Sequence, residues 1–372
     1  MKFIVSSAVL YSHLQAVSRV VNSKNSLDIL ECFLFQLKDG VLSVTVSDSE
    51  TTMQTSISVI ESIAEGEIAI TAKTLLDALK EIPDQPLTFE TSDLEVTVTY
   101  QNGQYSLMGQ DAREYPQLAK LTESPVEFSM TVDTLLTGIN RTVYATADDE
   151  LRPVMNGIYF DITTDSITMV ASDGHKLVRC QFLESKGSDR AAFILPKKPA
   201  NLLKGILPKE QGDVQISFDE TNAVFKLGNY SMICRLIEGR YPNYNSVIPE
   251  NNPFKVTVDR LSLVGALRRV SIFSSEASSL VKLRLKDNSI NISAQDIDFS
   301  TSAEEVLACQ YADAEMSIGF KSTFLIDILS NIPSEEVVIE LADPSRAGVI
   351  IPVQQQEGEK LLTLLMPMML ND

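Results

Sequence analysis

Apolar and polar residues alternate over short runs through most of this chain. Val41-Leu42-Ser43-Val44-Thr45-Val46 and Leu94-Glu95-Val96-Thr97-Val98-Thr99-Tyr100 are two such runs. A period of two sends successive side chains to opposite faces and predicts half-buried strands. Lys38-Asp39-Gly40 and Gln101-Asn102-Gly103 carry the turn chemistry that separates strands. Elsewhere the spacing becomes helical. Leu75, Leu76, Leu79 and Ile82 fall on one helical face, and Pro83 ends that helix.

The pattern is written three times. Ala72-Lys73-Thr74-Leu75-Leu76-Asp77-Ala78-Leu79 runs to Pro83, Pro196-Lys197 opens a second copy ending at Pro208, and Phe320-Lys321 opens a third ending at Pro333. Lys73, Lys197 and Lys321 are 124 and 124 residues apart, and the closing prolines 125 and 125. Strand starts recur at Lys2-Phe3-Ile4-Val5, Glu127-Phe128-Ser129-Met130 and Phe254-Lys255-Val256-Thr257. Helical segments follow them at 6–21, 132–147 and 258–274. Ser47-Asp48, Ser172-Asp173 and Gln295-Asp296 each close an alternating run, and Tyr105-Ser106-Leu107-Met108 recurs as Tyr230-Ser231-Met232-Ile233. Domains are therefore expected at about 1–122, 123–250 and 251–372. The predicted class is α+β: three tandem copies with sheets outside and two helices each on one side.

Composition narrows the class. No run of 18 apolar residues occurs, so no membrane span is expected. Met1 to Leu10 reads as a strand and helix start rather than a leader, because Ser6-Ser7 break its apolar run. Cys32, Cys180, Cys234 and Cys309 form no CxxC pair and read as buried hydrophobes in a reducing, cytoplasmic setting. No metal or cofactor is expected.

Charge gives a further clue. With 31 basic and 50 acidic residues the net charge is −19, which taken alone disfavours nucleic acid. The distribution alters that. The six helical segments carry 12 basic and 6 acidic residues, so they total +6 and the remainder −25. Helix lysines are ordinarily solvated surface, but Lys73, Lys197 and Lys321 recur at one repeat position and point to a shared face. A positive helix-lined face on a negative body would repel DNA outside and tolerate it inside.

At this point the chain resembles the bacterial sliding-clamp family, the beta subunit of DNA polymerase III. Ala171-Ser172-Asp173-Gly174-His175-Lys176-Leu177 is close to a family motif. Met155-Asn156-Gly157-Ile158, Leu195-Pro196-Lys197-Lys198, Glu238-Gly239-Arg240-Tyr241-Pro242 and Met366-Pro367-Met368 support it in order. The resemblance covers all three copies. It implies a processivity factor of the replicative polymerase: a head-to-tail homodimer closing as a ring around double-stranded DNA, with twelve helices lining the hole. Contacts to phosphates carry no sequence information and let such a ring slide.

The resemblance also implies sites. DNA-facing residues would be Lys24, Lys73, Arg141, Arg152, Lys197 and Lys198. Pro153-Val154 stand where relatives can carry aromatics, and Asp148, Asp149 and Glu150 would oppose close phosphate approach. A hydrophobic cleft between the second and third copies would take a short linear peptide from polymerases, the clamp loader and repair proteins. Its matching residues are Met155, Ser172, Gly174, His175, Lys176, Leu177, Pro242, Val247, Leu364, Met366 and Met368. Taken alone, Asp173-Gly174-His175 is a turn at a strand end, and Ser47-Asp48 occupies the same place without a histidine. Alternation through Leu361 to Leu370 would put Leu364, Met366 and Met368 on one face, and pliable methionines suit varied partners.

A dimer contact would join an edge strand of the third copy to one of the first, through Tyr105, Leu107, Arg269, Ile272, Phe273, Glu304 and Glu305. Residues 100 to 108 contain no basic partner for the two glutamates. Lys73 or Lys80 could substitute, and since surface pairs are worth about 0–1 kcal/mol each, their loss need not abolish the dimer. Catalysis is disfavoured. Only His13 and His175 are present, no nucleophile-elbow, Walker, zincin or dinucleotide pattern occurs, and a single catalytic cleft sits poorly with threefold repetition. The competing non-enzymatic reading is an acidic β-rich interaction scaffold that does not encircle DNA.

Overall fold

The computed structural model describes residues 1–21, 27–117 and 119–370. Two compact units emerge, one built from residues 1–136 and 201–236, the other from 137–200 and 237–372. The periodicities translate directly. Met1 to Leu10 forms strand Lys2–Ser6 and the start of helix α1 (Ser7–Val17). The remaining helices are α2 (Ala72–Lys80), α3 (Val132–Thr142), α4 (Lys197–Ile206), α5 (Arg260–Ser271) and α6 (Ser322–Asn331). Ser6 caps α1 by accepting from the Val9 amide, and Asp259 caps α5 by accepting from Ser262 at 2.7 Å.

In the first unit an eight-stranded sheet fuses two half-copies. Val126–Thr131, Asp213–Phe218, Asn222–Leu227 and Tyr230–Arg235 come from the second repeat; Thr51–Ser58, Val41–Ser47, Cys32–Lys38 and Gly66–Thr71 come from the first. The seam pairs Tyr230 with Thr55 and Met232 with Met53, antiparallel. His13 of α1 seals this seam. Its Nδ1 lies 2.6 Å from the Thr55 hydroxyl and its ring stacks on Tyr230 at 5.4 Å. Burial lowers its pKa, as suits a packing imidazole. A second sheet, ordered Glu61–Ala64, Lys2–Ser6, Pro86–Ser92, Glu95–Tyr100, Gly103–Met108, completes the unit.

The second unit repeats the plan. Its eight-stranded sheet is ordered Ala191–Pro196, Gly157–Ile162, Ile167–Ser172, Lys176–Phe182, Glu359–Leu365, Gly348–Pro352, Glu336–Leu341, Phe254–Asp259. The seam pairs Leu177 with Leu364 and Cys180 with Leu361. A four-stranded sheet, ordered Thr301–Ala308, Ser289–Asp296, Leu280–Lys286, Met316–Lys321, carries α5 against it, and α5 packs on α6. Among the described residues no helix is long and apolar enough to cross a membrane.

One expected surface residue lies inside this unit. Arg141, placed on a DNA-facing surface by resemblance, is 13% exposed, and its Nε donates to Glu359 at 3.3 Å. Its Nη1 reaches the Asn331 carbonyl at the end of α6. The charge is therefore spent holding α3, α6 and the seam strand together. Glu359 also accepts a weak contact from the Cys180 thiol, whose pKa burial drives well upward. Glu359→Ala should cost about 3–5 kcal/mol in urea unfolding, because it leaves a buried guanidinium without its carboxylate. Replacing both partners with apolar residues should recover most of that. A loss below about 1 kcal/mol for the single variant would show that the pair is idle.

Candidate functional site

The turn joining Ile167–Ser172 to Lys176–Phe182 is built by its own side chains. Asp173 Oδ1 accepts from the His175 and Lys176 amides at 2.8 and 2.9 Å. The Lys176 ammonium donates to Asp173 Oδ2 at 2.6 Å, with the two side chains 6% and 15% exposed. Burial by itself would raise the Asp173 carboxyl. The Lys176 ammonium and the two amides outweigh it and hold the group below the ordinary carboxylate range. Gly174 sits at φ +89°, and a Cβ there would meet Arg152 Nη1 at 2.7 Å. Only glycine meets both demands.

This geometry revises several expected roles. Ser172 is buried, accepts from the Gly174 amide and donates to the Lys176 carbonyl. Ser172 and Lys176 therefore shape the turn from behind rather than presenting polar atoms to a peptide. Arg152 donates to Asp149 at 2.8 Å and to the Asp173 carbonyl at 3.3 Å. It braces the turn against the 148–154 loop while its side chain stays half exposed.

Beside the turn lies an apolar floor. Val170, Leu177, Ile194, Tyr241, Tyr244, Ala347 and Leu364 are buried together, and Val154, Tyr159, Ile237 and Ile248 pack on them. Tyr159 stacks on Tyr241 at 4.6 Å, and Tyr244 donates to Asp161 at 2.8 Å. Leu177 and Leu364 thus belong to the floor. Pro242, Val247 and Met366 are exposed around it, while Met155 is half-buried. The assigned strand Glu359–Leu365 ends before Met366, but the Met366 amide still bonds the His175 carbonyl in the same ladder register. The path departs at Met368, whose amide goes to the Gly319 carbonyl. Pro367 between them has no amide hydrogen to continue a ladder.

Phe324 was not anticipated. His175 stacks on its ring at 5.7 Å, and the Lys176 and Lys321 ammonium groups lie 4.3 and 4.9 Å from its centroid. Its signal was a break in the repeat: the residue three after the shared lysine is Leu76 in the first copy and Ala200 in the second. Lys321 consequently differs from Lys73, which points outward beside Asp77 at 2.7 Å. Lys197 lies 3.9 Å from Asp148. Lys24 falls outside the described residues.

Gly103–Met108 and Thr301–Ala308 are each the end strand of their sheet, with no strand paired on the outer side among the described residues. Tyr105 and Leu107 are half-buried on the first. Burial pushes the Tyr105 hydroxyl up to about 12, with Tyr100 adding to it. On the second, Glu305 takes both guanidinium branches of Arg269 at 2.7 Å, and Glu304 accepts from Asn291. The expected cross-subunit partners, Lys73 or Lys80, are therefore not needed to neutralise Glu305. Ile272 and Phe273 stand exposed at the end of α5. No group of three metal-ligating side chains occurs among the described residues.

Comparison with known proteins agrees with this architecture. Residues 1–119, 129–243 and 245–369 match the N-terminal, central and C-terminal domains of the DNA polymerase III beta subunit. The chain belongs to that family. It is 28% identical to the beta sliding clamp of Haemophilus influenzae and 26% identical to that of Escherichia coli K12, each over the full length of both chains. A sliding-clamp crystal structure from Pseudomonas aeruginosa superposes with a TM-score of 0.95 at 26% identity, and one from Bartonella birtlesii with 0.93 at 28%, again over both whole chains. The protein's role is that of a non-catalytic processivity clamp for DNA polymerase III, of a family that encircles DNA as a homodimeric ring and binds the polymerase. That membership removes the scaffold reading.

The turn makes a stability prediction. Asp173 has a folded pKa below its unfolded value of about 3.9. Its contribution is therefore complete above that unfolded value and is lost as pH falls through the folded one. Asp173→Asn should cost about 3 kcal/mol near neutral pH, since it strands a buried ammonium. Its stability deficit relative to the parent should shrink in acid. A deficit constant from pH 7 to pH 2 would contradict the assignment.

Proposed function

We propose that the floor beneath the Asp173-Gly174-His175 turn is the docking cleft for a short apolar peptide carried by the polymerase, the clamp loader and repair proteins. Exposed His175, Met366, Val247 and Pro242 form its rim, half-buried Met155 closes one side, and Leu177 and Leu364 form its base. The Phe324 ring, stacked on His175 with two ammonium groups close to its centre, fixes one wall while the methionines stay pliable. His175→Ala with Met366→Ala should weaken a polymerase-derived peptide by at least about tenfold, read by fluorescence anisotropy. Unchanged affinity would remove the cleft assignment. Lys73, Lys197, Lys198 and Lys24 remain the cations proposed to face DNA, in a cytoplasmic protein.

Ring closure is carried by one observation: the two intrachain seams use equivalent strands, and the end strands Gly103–Met108 and Thr301–Ala308 are the remaining equivalents. Tyr230 becomes Tyr105 at an offset of 125 residues, and Thr55 becomes Glu305 at 250. The Tyr230–Thr55 pairing then predicts Tyr105 opposite Glu305 and Leu107 opposite Ala303 in a second copy. Half-buried positions meet half-buried positions throughout this register. Head-to-tail repetition by a two-fold axis closes both edges.

Leu107→Cys with Ala303→Cys should therefore form a covalent dimer on mild oxidation, since facing strand positions lie within disulfide reach. The parent chain supplies the control for its own four thiols. Loaded protein should persist on circular duplex DNA and run off the same DNA once linearised. Equal persistence on both would sink topological retention as the mode of binding.

A further inference from the structure

The three equivalent hairpins differ in one respect. In the first copy the turn residues between the closing pair Asp48 and Thr51 are Ser49 and Glu50. In the second, between Asp173 and Lys176, they are Gly174 and His175. In the third, the pair Asp296 and Thr301 encloses Ile297-Asp298-Phe299-Ser300, a turn longer by two residues. Ile297 and Phe299 are each 79% exposed. An apolar tip so open is a standing cost unless something covers it.

The neighbours of the other two tips say what that is. The Glu50 carbonyl accepts from Arg235 at 2.8 Å, and the His175 carbonyl accepts from Met366 at 2.8 Å. In both seams the hairpin tip sits against the end of the strand paired beside it. The third tip belongs to open edge Thr301–Ala308, so its counterpart is the end of Gly103–Met108 in a second copy. There Met108 is 69% exposed. The transferred register puts Met108 opposite Ser302, and opposed residues of an antiparallel pair share a face. Ser302 and Glu304 line a cavity of about 700 Å³ together with Ile297, Gln295, Lys282 and Leu370.

We propose that the elongated tip is an apolar latch for the second copy of this chain, with Ile297 and Phe299 closing over Met108 at the mouth of that cavity. The inference rests on the ring-closing register above. It also accounts for how the interface holds without cross-subunit charge. Strand Gly103–Met108 carries no basic residue, and Glu305 is neutralised by Arg269 of its own chain. Apolar contact on both faces of the edge is then what remains: Ile272 and Phe273 on the helix side, the latch on the other.

The test is the dimer dissociation constant by sedimentation for Ile297→Ser with Phe299→Ser. These side chains are exposed, so thermal unfolding of the monomer should not move. Dissociation should be easier by at least about tenfold. Met108→Ser should weaken the dimer similarly, and combining it with the tip variant should add little. An unchanged constant in the tip variant, or fully additive effects with Met108→Ser, would overturn the latch. Val306→Pro separates this from the register itself. Its counterpart Ser56 donates outward across the seam to Asn229 at 3.0 Å, so proline removes a bond only the second copy would receive. A dimer indifferent to Val306→Pro would overturn the ring-closing register and the latch with it. A dimer lost with Val306→Pro but kept by the tip variant would overturn the latch alone.

Discussion

A strand at the edge of a sheet carries backbone donors and acceptors that must be paired or managed, and this protein is organised around that requirement. Thr51–Ser58 finds its partner in Tyr230–Arg235, and Lys176–Phe182 in Glu359–Leu365. Each seam turns two half-copies into one continuous eight-stranded sheet. Because the copies repeat, the two seam-equivalent strands without a partner in the chain, Gly103–Met108 and Thr301–Ala308, are complementary to each other, and a second chain can supply what the first lacks. A homodimeric ring is the arrangement in which both of these strands are paired.

What differs between the copies sits beside the seams. The same hairpin tip is short and polar in the first copy and bears Gly174-His175 in the second. In the third it is long and apolar. The second tip is braced by Arg152 and a buried Asp173–Lys176 pair, which makes a stiff wall next to a floor of leucine and tyrosine side chains. A stiff wall with a pliable methionine rim gives both position and tolerance, as a site for several partners requires. Repetition builds the frame, and the unrepeated residues specialise its junctions.

The cations divide by what they bond. Arg141 and Arg260 serve carbonyls and a carboxylate inside the second unit, and Arg269 serves Glu305. Lys73 stays at the surface. Formal charge along the helices therefore overstates the charge available to phosphates. A guanidinium with a flat fork of donors is readily absorbed by nearby carbonyls and carboxylates, whereas a lysine at an exposed helix position keeps its hydration.

Sequence by itself determined the strands, the helices, the threefold repeat and the family. Those follow from local periodicity, turn residues and motif order, each legible within a few neighbouring positions. The turn residues around Gly174, the apolar run at Leu361–Leu365 and the equivalence of Tyr105 with Tyr230 were legible in the same way. Tertiary structure alone decided which charges are spent. Nothing near Arg141 in the chain announces Glu359, 218 residues away. Phe324 under His175, the departure of the chain toward Gly319 at Met368 and the cis pairing of Arg269 with Glu305 are likewise contacts between distant segments. Their energies depend on burial and approach in space, and neither is a property of any local stretch of sequence.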